Sequence, residues 1–263
     1  MTSGKRAKGR RPAQAVSRDR NRAAPQRQAS PRILFAAAVI TALLAIGYVL
    51  AVKLTNGSSD AKPPPAGVAL PGAGDVQSLL KGIPQSGNVL GSPSAPVTLV
   101  EYLDLQCPYC QQFETQAMPT VINRYVRTGK LKVEARLLAF IGPDSQRGRA
   151  AAIAAAKQNG MFNFVQLLYD NQAGENSGWL SDDMVRSAAA SIPGIDVAQL
   201  LADSGSAAGD DQGRTYDSQA TADGVSGTPT LFVGPTGSKL KLVTLHSPTD
   251  LQSLGDAIDA ALA

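Results

Sequence analysis

Cys107 and Cys110 are the only cysteines in the 263-residue chain, and two residues separate them. At i and i+3 they fall on one face of a helical turn. Pro108, between them, suits the first position of a helix, where its missing N–H is no loss. The Cys107 sulfur then meets the unpaired N–H groups and partial positive charge of a helix start. Such a setting stabilises a thiolate and lowers its pKa below the ordinary thiol value. An ionised sulfur with a second thiol in reach is the equipment for thiol–disulfide exchange, in which the first sulfur attacks and the second resolves. A structural disulfide across so short a loop would remove little chain entropy. A zinc site needs four ligands, and the chain offers no further Cys and a single His, His246.

The elements around the pair are legible from their patterning. Val97 to Asp104 is a strand candidate running straight into the Cys-Pro-Tyr-Cys turn. Its alternate rows are Val97, Leu99, Glu101, Leu103 and Thr98, Val100, Tyr102, Asp104, so Glu101 stands in an otherwise apolar row. A buried carboxyl has a raised pKa and could take and return a proton as the cysteines change state; the alternative is an acid that escapes to solvent at a strand end. Asp104 is nearer the cysteines but in the more polar row, and ranks lower. From Pro108 to about Arg127 a helix is expected, with Phe113, Met118, Val121, Ile122 and Tyr125 as its apolar positions, a kink or break at Pro119 and an end at Gly129. Leu131 to Ile141 alternates as a second strand, which makes a parallel βαβ unit.

Ser145 to about Val225 reads as a run of helices. The Ala150–Ala156 segment has high helix propensity, and Ser181 with Asp182 and Asp183 marks a helix start. Trp179 is assigned to the core. In Gly227-Thr228-Pro229-Thr230-Leu231-Phe232-Val233 a proline opens an apolar strand, where it cannot donate to the ladder; a cis Thr228–Pro229 bond is one resolution. A hairpin strand over Leu240–Leu245 and a closing helix over Pro248–Ala263 follow. His246 is read as a surface or capping residue.

The overall charge of +4 is unevenly divided. Residues 1–32 carry ten Lys/Arg and one acid, and the remainder fifteen Lys/Arg and twenty acids. With little to bury, 1–32 reads as a disordered tail, and without interleaved aromatics it offers no nucleic-acid platform. Residues 33–52 form twenty residues without a charge. At about 1.5 Å per residue they are long enough for a hydrocarbon core about 30 Å thick. A cleaved signal peptide is the rival, but its apolar region is shorter, about 7–15 residues. The basic flank predicts a cytoplasmic N-terminus and an extracytoplasmic remainder. Residues 53–88 read as a linker, with Asn56–Ser59 flexible and Pro63–Pro65 stiff. The apolar stretch Val76–Ile83 either packs back on the domain or is a loop carrying leucines. The domain proper is expected over 89–263, its helical insertion at about 145–225.

Taken together, the Ala95–Glu101 lead-in, the Cys107-Pro108-Tyr109-Cys110 turn, the Gly227–Thr230 segment and the intervening helices resemble the DsbA-like oxidoreductases of the thioredoxin superfamily, in a membrane-anchored, actinobacterial-like form. The resemblance covers roughly Asn88 to Ala263. It implies an α/β thioredoxin fold, a central mixed sheet flanked by helices with a helical insertion, here preceded by one transmembrane helix. It implies that Cys107 is the exposed nucleophile, Cys110 its buried partner and Glu101 the family's buried acid. Thr228 and Pro229 would form the cis-proline loop that touches substrate backbone, with Pro108 and Tyr109 beside it. Tyr109 stands where these enzymes often carry His, so a cation near the thiolate is missing. The implied substrates are cysteine-containing exported proteins, and the implied reoxidant is a quinone-linked membrane partner; no metal or organic cofactor is indicated. A reductase or isomerase, or a non-catalytic binding or chaperone module, are the alternatives.

Overall fold

The computed structural model describes residues 69–263. The basic tail at 1–32, the apolar span at 33–52 and the first part of the expected linker, 53–68, lie outside the described residues. No helix among the described residues is long and apolar enough to cross a membrane.

Strand β3 (Val97–Leu103) is the spine of the molecule, and all seven of its residues are buried. It pairs in parallel with β4 (Leu131–Leu137), with Glu101 opposite Ala135 and Tyr102 opposite Arg136. On its other edge it pairs antiparallel with β5 (Thr230–Pro235), with Glu101 opposite Leu231. The short strands β1 (Gln85–Ser86), β2 (Val89–Leu90) and β6 (Lys241–Val243) complete a six-stranded mixed sheet in the order β1-β2-β4-β3-β5-β6. The expected polar row on β3 is therefore buried too. Helices cover both sheet faces, and a central parallel pair covered on both sides has no solvent face. Leu99 and Leu103 belong to the main core, whereas Val100 and Tyr102 lie in a second cluster with Leu138, Ile153, Tyr216 and Ala220.

The segment after β3 is helical throughout but not uniform. It runs as α2 (Pro108–Gln112), a π segment at Phe113–Ala117, α3 (Met118–Val121) and a second π segment at Ile122–Val126. The expected break at Pro119 does not occur. The wider turn before it bonds Met118 N–H to Phe113 C=O, so the helix continues around a residue that cannot donate. Gly129, at φ 73°, supplies the left-handed turn into β4.

The insertion holds α4 (Pro143–Lys157), α5 (Met161–Asp170), α6 (Asp182–Ala190), α7 (Val197–Ser204) and α8 (Ala207–Ala222). Ser181 caps α6 as its sequence suggests, accepting from Met184 N–H. Trp179 is buried in the main core. The closing helix α9 (Leu251–Leu262) buries Leu254 and Ile258. His246 is exposed, and its N–H donates to Asp250, the N-cap of α9.

One boundary shifts. Residues from Ala73 onward, expected in the linker, are part of the packed body. Helix α1 (Ala73–Leu80) places Val76 and Leu80, followed by Ile83, in the main core. Arg127 fastens it by donating to Leu79 C=O at 2.5 Å and Lys81 C=O at 2.9 Å. Its few apolar residues look linker-like in sequence, yet spaced at i and i+4 they make one buried stripe.

Candidate active site

The redox pair sits where β3 ends and α2 begins. Cys107 is the N-cap of α2, in extended conformation, with Pro108 in the first turn. The sulfurs are free thiols in this structure; Cys107, expected to be the exposed one, is buried at 6% exposure beneath the Thr228–Pro229 segment, and Cys110 is fully enclosed. Pro108 and Tyr109 are exposed beside them, Tyr109 by 59%. The Thr228–Pro229 peptide is cis, and in its thiol form Cys107 Sγ donates to Thr228 C=O at 3.3 Å. The structure thus brings together five residues singled out from widely separated parts of the sequence, Cys107, Pro108, Tyr109, Cys110 and Thr228, with Pro229 next to the last.

The two sulfurs differ in acidity. The Cys107 thiol is pulled down from 9.0 to about 6, first by a hydrogen bond from Cys110. The Thr228 side chain and the N–H groups of Cys110 and Tyr109 add to this, while partial burial opposes it. These N–H groups are the unpaired donors of the first turn. Cys110 is pushed well above its ordinary value by burial and then by its proximity to Cys107. One sulfur is an ionised nucleophile at neutral pH and the other is kept protonated.

A network from the helical insertion holds the loop that carries the pair. Asp104 is fully buried, and its carboxyl oxygens accept four hydrogen bonds. Gln106 N–H and the Ser145 hydroxyl donate to Oδ1 at 2.9 and 2.6 Å; Phe140 N–H and Ile141 N–H donate to Oδ2 at 2.8 and 3.1 Å. The Tyr169 hydroxyl donates to Asp104 C=O at 3.0 Å. Gln172 Nε2 donates to both Leu105 C=O and Cys107 C=O, at 2.8 and 3.2 Å. Gln106 itself is gripped by Asn176, whose N–H donates to Gln106 Oε1. A Cβ at Gly148 on α4 would lie 2.8 Å from both Leu105 Cδ1 and Leu180 Cδ1, so the bare backbone there lets α4 approach the loop.

Glu101 lies under the active-site helix and is 1% exposed. Its pKa is raised well above the ordinary carboxyl value, first by burial and then by the neighbouring Glu114 carboxyl. Glu114, 4% exposed, is also raised, by burial. Sequence reasoning missed Glu114. It lies four residues beyond Cys110, but inside the π segment that changes the helical phase, so only the fold shows it on the buried side with Phe113 and Ala117. Asp104, ranked lower from its place in the more polar row, takes three of its four partners from residues 140–145, a segment with no patterning that points back to it. Among the described residues no three His, Cys, Asp or Glu side chains gather as a metal site.

The family model for thioredoxin matches residues 85–260. The chain belongs to the DsbA-like thiol–disulfide oxidoreductases of the thioredoxin family. It is 30% identical over 176 residues to the probable disulfide bond formation protein D of Bacillus anthracis, covering 66% of this chain and 77% of that one. It is 32% identical over 117 residues to the protein of the same name from Bacillus cereus, covering 43% of this chain and 54% of the other. Among solved structures, oxidised BdbD from Bacillus subtilis superimposes with a TM-score of 0.59 at 22% identity, over 68% of this chain and 96% of that one. Wolbachia pipientis alpha-DsbA1 gives 0.57 at 21% identity, over 70% of this chain and 92% of that one. At these identities the superpositions speak for the fold: a thioredoxin-like mixed sheet with a helical insertion.

Proposed function

We propose that this protein is a membrane-anchored oxidase that introduces disulfides into exported proteins outside the cytoplasm. The observation that carries the proposal is the asymmetry of the sulfur pair, with Cys107 lowered to about 6 and Cys110 raised. Stabilising the Cys107 thiolate stabilises the reduced pair, and a disulfide whose reduced form is favoured is a strong oxidant. The apolar residues 33–52 would serve as the anchor, and the basic tail at 1–32 would stay in the cytoplasm.

A substrate thiolate attacks Cys107 Sγ of the oxidised pair. The Cys107–Cys110 bond breaks, its electron pair goes to Cys110, and Cys110 is protonated. The substrate's second thiolate then attacks the substrate sulfur of the mixed disulfide, and Cys107 leaves as a thiolate. Two electrons have moved from substrate to enzyme. They must leave again to an oxidant, for which a quinone-linked membrane partner is the proposed acceptor. Thr228 and Pro229 would present backbone to the substrate chain, Pro108 and Tyr109 would flank it, and Glu101 would handle the Cys110 proton.

Oxidative refolding of a reduced two-cysteine substrate tests this reading. Cys107→Ser and Cys110→Ser each abolish catalysed refolding, since neither can form the intramolecular disulfide; presented with a disulfide-containing substrate, Cys110→Ser accumulates the mixed disulfide through Cys107. Refolding that proceeds unchanged without Cys107 overturns it. A redox titration separates oxidase from reductase, since the oxidase reading requires the reduced protein to be the more stable form.

A further inference from the structure

Helix α8 lies over β4 on the far face of the sheet and ends at Ala222. Beyond it, the β5–β6 hairpin keeps apolar surface open to water. Phe232 and Leu240 are half-buried, and Leu242 is 60% exposed. Phe232 stands opposite Val100 on one side and Leu242 on the other, so all three share this face. A cleft of about 510 Å³ opens there, with Val100, Phe232 and Leu240 as its floor and Arg136, Asp223 and Lys239 on its rim. Lys239 and Lys241 are exposed, and neither is paired with an acid among the described residues. Strand β6 is the last in the sheet order, so its outer edge has no strand partner among the described residues. It is short and carries a lysine, as solitary edges do, yet it also presents an apolar side chain that such edges avoid. This surface is continuous with the redox site. Thr230 opens β5 directly after the cis peptide and lies opposite Tyr102, on the same face as Phe232. From Thr228, whose C=O is 3.3 Å from Cys107 Sγ, to Phe232 the chain runs four residues, or about 13 Å at roughly 3.3 Å per residue.

We propose that this far-face cleft receives an extended segment of the client polypeptide, roughly four to five residues away from the client cysteine, and takes an apolar side chain with an acidic neighbour. This rests on the oxidase reading given above. A client that is still unfolded offers an extended backbone to the free edge of β6 and a side chain to the cleft at every second position. The apolar floor holds that side chain, and the two unpaired lysines favour a carboxylate beside it. A second copy of this chain fits less well, because pairing two β6 edges would set their lysines against each other. The contact is remote from the sulfurs and is the same before and during exchange. It therefore strengthens client binding and raises the local concentration of client thiol at Cys107 without changing the chemical step. A folded protein has no free extended segment to offer, so the cleft selects clients that have not yet folded.

The test is reduction of the oxidised full chain by synthetic peptides that carry a reduced cysteine pair. One peptide has Leu-Glu about four to five residues before the pair, one has it as far after the pair, and one lacks it. One of the two Leu-Glu peptides is expected to have a KM about fivefold to tenfold below that of the bare peptide, at unchanged kcat. Leu242→Asp and Lys239→Glu, both at exposed positions outside the redox machinery, should each erase most of that advantage. Both variants should react with the bare peptide and with dithiothreitol within about twofold of the unaltered chain. Equal KM values for all three peptides overturn the proposal. So do variants that slow dithiothreitol as much as they slow the Leu-Glu peptide. Lysine cross-linking of the full chain in lipid vesicles reads the rival occupant: a dimer that Leu242→Asp abolishes makes the cleft a contact between copies and also overturns the proposal. Dithiothreitol reduction and the redox titration do not involve the cleft, so they report separately on the oxidase reading.

Discussion

Glu101 and Asp104 stand three residues apart where β3 gives way to the active-site turn, and both are withdrawn from water. Asp104 is met by four donors, three of them backbone N–H groups. Glu101 is met by another acid and keeps one oxygen without a partner. The opposite face of the same strand repeats the Asp104 solution. There the Tyr102 hydroxyl donates to Asp223 Oδ2 at 2.6 Å and accepts from Arg136 Nη1 at 2.6 Å, while Arg136 Nε donates to Glu134 Oε1 at 2.8 Å. Glu101 and Asp104 are equally buried, while Asp223 on the far face is 42% exposed, so burial does not decide what an acid does. Its partners do: donors and cations make a buried acid an anchor, and their absence makes it a place to keep a proton.

The comparison can be broken most easily at Asp104. Asp104→Ala leaves four donors without an acceptor and is expected to lower stability by about 3–5 kcal/mol in urea unfolding. Glu101→Gln, at an equally buried position, should change stability by no more than about 1 kcal/mol, since it replaces one neutral hydrogen-bonding group by another. Similar losses for both would mean that the two acids are not treated differently after all.

The pH dependence of stability in the reduced protein sharpens the contrast. Glu114 has a folded pKa of about 8 against an ordinary 4.5. Between those values the native state binds more protons than the unfolded chain, so stability falls as pH rises through this window. Cys107 has the opposite sign. Its folded value of about 6 lies below the ordinary 9.0, so its contribution is absent below the lower value, grows as pH rises and is complete above the higher one. Allowing for screening at the partly open sulfur, that contribution is of order 2–4 kcal/mol. Urea unfolding of the reduced protein at a series of pH values should lose the falling component in Glu101→Gln/Glu114→Gln and the rising component in Cys107→Ala. Curves that keep both components in these variants would refute the assignment.

On the far face, Tyr102→Phe removes the hydroxyl bridge between Arg136 and Asp223, leaving their direct contact at 3.4 Å, and is expected to cost about 1–2 kcal/mol with no change in the acidity of Cys107. A shift in the Cys107 alkylation midpoint would show that the two sheet faces communicate. The smallest effect is expected at Thr228. Thr228→Val deletes one of several hydrogen bonds to the thiolate, and the alkylation midpoint should rise from about 6 toward 9.0 without reaching it.

Much of this arrangement is legible in the chain itself. The cysteine spacing, Pro108 at a helix start, the alternation of 131–137 and the awkward Pro229 each obey a local rule, and local rules can be read one segment at a time. Glu101 was legible because it interrupts an apolar row. Glu114 and Asp104 were not, for two different reasons. Glu114 lies within a helix whose phase changes at a π segment, so a uniform helical period does not say which side it occupies. Asp104 depends on donors that only tertiary folding delivers, from residues 106, 140, 141 and 145. The same holds for Gln172, whose side chain spans 65 residues of sequence to reach Cys107 C=O. Backbone-directed clasps of this kind leave no periodic trace. Helix α1 was half legible, its leucines being evident and their destination not.

The wide turn at Phe113–Ala117 has a further consequence. It inserts a phase offset between the start of this helix, whose orientation is dictated by the sulfurs, and its remainder, whose orientation is dictated by the apolar residues Met118, Val121, Ile122 and Tyr125. Each half can therefore be tuned without rotating the other. Shortening the segment by a single residue would couple them like two gears on one shaft, and the helix would have to misalign either its chemistry or its seat.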